Sequence, residues 1–167
     1  AGDSLLVNAT GVGARPLPNN DFTAGTSFGT ITVAVGGYTL SGNSVSLNGG
    51  LTASNASGSS TVSLIVGGAG TATKNVAGTL VLSGANTYSG ATTLSAGQVT
   101  ISTNNALGTG TITLSGGTLF ASGSRTLANA LNVTANSTLS SFNSDDFSFT
   151  SNSISGSSGV TLTLNNG

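Results

Sequence analysis

Histidine, cysteine, methionine and tryptophan are all missing from this chain. Their absence removes every soft metal ligand, every disulfide staple and the commonest general base. Charged residues make up 4% of the 167 positions, against about 25% in an ordinary soluble domain. The whole ionic inventory is Asp3, Arg15, Asp21, Lys74, Arg125, Asp145 and Asp146, read as solvated corners or ends. A net charge of -1 leaves neither a basic footprint for nucleic acid nor a polybasic membrane anchor. No run approaches the roughly 18 to 20 apolar residues of a membrane helix, so no membrane insertion is expected. Nor does Ala1-Gly2-Asp3 open a basic-then-apolar leader. It reads as a mature N-terminus after export, with a cytoplasmic start as the alternative.

The same scarcity bears on catalysis. Asp145-Asp146 is the one acidic pair, and adjacent side chains in a strand point to opposite faces, so the two carboxylates part unless they sit on a turn. A glycosidase needs two carboxyls about 5 to 10 Å apart across a sugar, and four Asp without Glu supply no such cluster. A serine nucleophile needs a base, and only Lys74 could serve. No Gly-Gly is followed by Asp at the spacing of calcium-binding β-roll turns, which leaves a lone Ca²⁺ at Asp145 and Asp146 as the single metal candidate. The N-x-S/T triplets at Asn8, Asn55, Asn132 and Asn136 are expected by chance in so Asn-, Ser- and Thr-rich a chain. The expectation is a chain without enzymatic activity or cofactor.

What is abundant is glycine, with 26 residues, and short aliphatic runs; 37% of the chain is hydrophobic, which argues against disorder. In Gly78–Ser102, three runs are separated by Ser-Gly, Ala-Asn and Ala-Gly corners. Leu80 and Leu82, Leu94 and Ala96, and Val99 and Ile101 stand two apart, so each short strand turns one face to a core. Gly84, Gly90 and Gly97 are expected to supply φ > 0 at the corners, with Asn86 tolerating the same region. Strands so short and so closely spaced predict a coil whose turns stack.

Gly78-Thr79-Leu80, Leu82 to Gly90 and Thr92 to Gly97 resemble the autotransporter-associated β-strand repeat, or passenger-associated transport repeat. Asn104 to Gly110 with Ile112 to Leu119 resembles the link that follows this repeat, and Tyr38 to Asn43 with Leu47 to Leu51 resembles preceding coils. The departures are Gln98, where Thr is usual, and Lys74-Asn75-Val76. The resemblance implies an all-β, right-handed parallel β-helix (β-solenoid) with short strands and Gly/Asn/Ser corners, in a large exported bacterial surface protein with no catalytic residues.

Residues 1–20 hold both prolines and differ from the remainder. Pro16 and Pro18 make Ala14–Pro18 an extended connector, so 1–20 reads as arm, cap or linker and 21–167 as the solenoid. Strands are expected at Thr30–Val35, Tyr38–Leu40, Ser44–Leu47, Leu51–Ala53 and Thr61–Val66, punctuated by Gly36-Gly37, Gly49-Gly50 and Gly67-Gly68. Ser54–Ser60 reads as a flexible loop. Further strands are expected at Thr118–Ala121, Arg125–Leu127, Ala130–Val133, Thr138–Leu139, Phe147–Phe149, Ser153–Ile154 and Val160–Leu164. Phe142, Phe147 and Phe149 are expected to stack as a ladder in the core. At 18 to 20 residues per coil, the chain makes roughly eight coils of about 4.8 Å each.

The function these readings favour is a secreted or cell-surface spacer, adhesive or head-to-tail polymerising subunit; a carbohydrate-binding or phage-type recognition module, with surface polysaccharide as partner, is the alternative. The bare strand around Val160, Leu162 and Leu164 is the candidate receiving end. Ser4, Leu5, Leu6 and Val7 form a candidate assembly strand, which either caps its own rod or is donated to a neighbour.

Overall fold

The computed structural model describes residues 3–7, 19–142, 146–151 and 153–166. Its organisation follows from one spacing: Ala72 pairs with Thr92, and Thr92 with Ile112, in parallel, 20 residues apart each time. Parallel neighbours need a long crossover, and here the crossover is the rest of a turn. The chain therefore winds into a β-solenoid of about seven turns, all β, with no helix among the described residues. At about 4.8 Å per turn the rod is roughly 34 Å long.

Two sheets run the length of the rod. The first holds nine strands, from Leu5–Val7 through Thr26–Val33, Val45–Ala53, Thr71–Lys74, Thr92–Leu94, Ile112–Leu114 and Leu131–Val133 to Ile154–Gly156, with Val66–Gly67 beside Val45–Ala53. The second holds eight: Asn19–Asn20, Thr39–Gly42, Ser59–Val62, Thr79–Leu82, Gln98–Ile101, Thr118–Ala121, Ser137–Ser141 and Leu162–Asn166. The path back from second sheet to first makes a third, irregular side, where Arg125–Leu127 pairs with Phe147–Phe149.

Alternation decides what lies inside. On the first sheet Ile31, Leu51, Ala72, Thr92, Ile112 and Leu131 form an inward column. One residue on, Thr32, Thr52, Thr73, Thr93 and Thr113 form an outward one. Leu40, Val62, Leu82, Ile101 and Ala121 make the matching inward column of the second sheet. Each aliphatic side chain is thus buried against its equivalents above and below, worth about 1.5 to 3 kcal/mol apiece.

Several expectations are corrected. Turns number about seven rather than eight because coils vary: Leu5 pairs with Ile31, 26 residues on, and Leu131 with Ile154, 23 on. Gly49-Gly50 does not separate two strands. Val45–Ala53 runs through it as a bulge in which Asn48 and Gly49 face Gly29 alone, and Gly50 takes φ 136°. The run Thr61–Val66 is broken instead, at Ser63–Ile65, with Leu64 turned in and Ile65 out. Ser54–Ser60 is no loose loop, since Asn55 and Ser60 are buried and the second-sheet strand begins at Ser59.

Gly97 has φ 72°, as expected, but Gly84 and Gly90 are not among the glycines of positive φ. Space explains them. A Cβ on Gly90 would strike the Gly70 carbonyl, one on Gly110 the Gly90 carbonyl, and one on Gly84 the Leu64 carbonyl. These glycines let consecutive corners nest at ladder distance.

Candidate functional site

Inside the central coils, polar side chains replace sheet hydrogen bonds where the third side is irregular. Asn86 is buried; its Oδ1 accepts from Val66 N (2.9 Å) and its Nδ2 donates to Ala106 O (2.7 Å). It therefore pins three successive turns, a role beyond the corner expected of it. Asn129 does similar work, donating to Gly108 O (3.1 Å) and Gly110 O (2.7 Å). Asn55 Nδ2 donates to Gly58 O and Thr79 O, while its buried Oδ1 has no hydrogen-bond partner. Tyr88 is buried with its hydroxyl 2.6 Å from Thr92 Oγ1, which donates to Leu107 O. Desolvation pushes the Tyr88 pKa up to about 12.

Lys74 is not a solvated charge. It takes the inward position between Ala53 and Leu94 in the first sheet, and only 1% of its surface is exposed. Its Nζ donates to the Asn55 and Val76 carbonyls, and burial pushes its pKa below the usual lysine value. The strand reading already carried the signal, because Lys74 stands two residues after the inward Ala72.

Most of the large exposed apolar side chains gather at the two ends of the rod, Ile65 and Phe142 being the ones on its sides among the described residues. At the first end, Leu5, Leu6 and Phe22 are exposed, and a recess of about 130 Å³ lies among Leu5, Asp21, Phe22, Phe28, Ile31 and Leu40. Phe22 meets Phe28 edge on, with ring centroids 5.9 Å apart. At the other end, Ile154 and Leu164 are exposed, beside a recess of about 340 Å³ lined by Leu131, Leu139, Asp146, Phe147, Phe149 and Leu162. Phe22 and Phe28 escaped the sequence reading because nothing local marks a residue as belonging to an end.

The candidate assembly strand forms the outermost rung of its own rod: Leu5–Val7 pairs in parallel with Ile31–Val33, and Ser4 Oγ accepts from Thr30 Oγ1 at 3.0 Å. The connector Ala14–Pro18 lies outside the described residues. Leu162 and Leu164 belong to the last rung, paired with Ser137 and Leu139, with Val160 and Leu162 half-buried. Asp145 and Asn8 also lie outside the described residues, while Asp146 is exposed at the rim of the larger recess.

The expected core ladder of phenylalanines is not formed. Phe142 is exposed and meets Phe120 edge on at 4.8 Å on the outer face, whereas Phe147 and Phe149 pack half-buried against the core with rings 6.2 Å apart. Among the described residues no group of three or more acidic, histidine or cysteine side chains could hold a metal ion.

Residues 73–101 match a family model described as Passenger-associated-transport-repeat. No curated protein and no solved structure matches the chain. The matched stretch runs from the buried Lys74 through Asn86, Tyr88 and Thr92 to Ile101, and it includes several of the interior hydrogen bonds described above. Such repeats and such a fold are typically non-catalytic, and they imply an exported or surface protein. The central coil of this solenoid is thus similar to a passenger-associated transport repeat, and that repeat together with the β-solenoid fold suggests an exported structural repeat protein.

Proposed function

We propose that this chain is a non-enzymatic rod of a bacterial cell surface, extended by stacking its ends head to tail on further copies of itself. One observation carries the reading: of the seven exposed large apolar side chains, Leu5, Leu6 and Phe22 sit at one end and Ile154 and Leu164 at the other, with only Ile65 and Phe142 on the sides of the rod, among the described residues. Covering such patches is favourable at about 25 cal/mol per Å². The ends also match in register. Leu5 heads the inward column that closes with Ile154, so a second copy would bring its Leu5 over Ile154 and its Val7 over Gly156, continuing the ladder. The contact is heterologous and does not close, so it builds a filament.

Negative-stain microscopy and sedimentation of the intact chain test this. Strings with a repeat of one rod are expected, and Leu164→Asp or Ile154→Asp should shorten them. Monodisperse short rods at high concentration would overturn the assembly. Turnover on pectin, alginate or peptidoglycan that Asp145→Asn abolishes would overturn the non-catalytic part.

A further inference from the structure

The chain is nearly uncharged, yet its described carboxylates are not spread along it: Asp3 and Asp21 belong to the first turn, and Asp146 falls in the last coils. Two of them hold equivalent places. Asp21 follows the second-sheet strand Asn19–Asn20 and Asp146 precedes the third-side strand Phe147–Phe149, so each stands at the corner that opens the third side. Each is exposed, each lines the recess at its own end, and each is followed by a phenylalanine, Phe22 or Phe147, that lines the same recess.

When one rod stacks on another in register, the turn above the Asp146 corner is the first turn of the next copy, and its equivalent corner is Asp21. We propose that Asp21 of one copy and Asp146 of the next meet across the joint as a like-charge pair, one ladder step apart, and that this pair gates assembly. The proposal rests on the head-to-tail reading and adds its regulation. At about 4.8 Å two carboxylates repel, so the apolar ends join readily only when the charges are screened or neutralised.

The other charges near the joint do not cancel the pair. Arg125 lies one turn below Asp146 and donates its backbone N–H to the Asp146 carbonyl at 2.8 Å, but its guanidinium is turned to the carbonyls of Ser122 and Ser124. Asp3, whose carbonyl accepts from Gly29 N at 2.8 Å, adds to the negative end. Arg15 and Asp145 lie outside the described residues. Lys74 is far inside the rod.

Sedimentation velocity of the full chain at about 0.01 M and about 1 M ionic strength, where screening lengths are about 30 Å and 3 Å, tests the gate. Asp21→Asn or Asp146→Asn should tighten association at low salt by about two- to fivefold. The double variant should gain little beyond either single one, since both remove the same contact, and it should lose most of the dependence on salt. Association that is strong but equal in all four proteins, or additive between the two substitutions, overturns the gate and leaves head-to-tail stacking standing. No association in any of them at any salt overturns both.

Discussion

Lys74 is the residue most at odds with its surroundings. An ammonium taken from water and held by two main-chain carbonyls recovers only part of its hydration. Folding therefore favours the neutral amine, in line with the lowered pKa. The sign follows directly: between the folded pKa and the unfolded value of 10.5 the unfolded chain binds more protons, so stability rises with pH over that window. Tyr88 acts the other way, because its pKa is raised from 10.0 to about 12 and stability is lost as pH climbs from 10 toward 12. Thermal melts across the alkaline range should show the first rise, and Lys74→Met should abolish it. Replacing a buried charge by an apolar side chain of similar length should also stabilise the rod at neutral pH, by about 1 to 4 kcal/mol. A lower midpoint for Lys74→Met would mean that the two carbonyl bonds outweigh the desolvation.

Elements in this rod are short, and what sets them is whether a residue faces in, faces out or sits beneath the next turn. Leu82 is fully buried and its neighbour Ser83 lies on the far face of the alternation. Leu82→Asp should therefore cost several kcal/mol and Ser83→Asp little; equal melting midpoints would refute the inward column. Corners obey a tighter rule. Gly90→Ala should destabilise by about 1 to 3 kcal/mol through collision with the Gly70 carbonyl, and Gly25→Ala, with open space but φ 81°, should act only through backbone strain. Asn86→Ala leaves the Val66 N–H and the Ala106 carbonyl buried without this partner, at about 1 to 3 kcal/mol each.

Strands were legible because alternation is local: Thr118–Ala121, Arg125–Leu127 and Phe147–Phe149 fall where the residues place them. Corners were not, because their demands come from the turn below. Nothing within Ser-Gly-Ala-Asn says that Gly84 must clear the Leu64 carbonyl or that Asn86 must bridge Val66 to Ala106. The Asn55 stretch shows the same limit, since a Ser- and Gly-rich composition describes a solenoid corner and a loose loop equally well. The ends were half legible. Leu5, Leu162 and Leu164 stood out as apolar strand residues, but the pairing of Asp21-Phe22 with Asp146-Phe147 needs the register of the whole rod.

At the scale of the molecule, the rod behaves as a one-dimensional stack in which each turn is held only by its neighbours. An interior turn has a ladder and a packed face on both sides; the strands Leu5–Val7 and Leu162–Asn166 have them on one. Opening should begin at the ends and work inward, so amide exchange should be slowest between Thr79 and Ile101 and fastest in the two terminal rungs. Lys74 adds a local weakness, and exchange within Thr71–Lys74 should slow in Lys74→Met while the end rungs stay unchanged. Stacking then makes a separate demand on the same measurement. If the ends join, the terminal amides, and not the central ones, should gain protection as concentration rises, because only they acquire a new neighbour. Protection that is flat along the chain would mean that the rod opens as a single cooperative unit. End rungs whose exchange ignores concentration, in a chain that sediments as multimers, would move the joint from the ends to the sides of the rod.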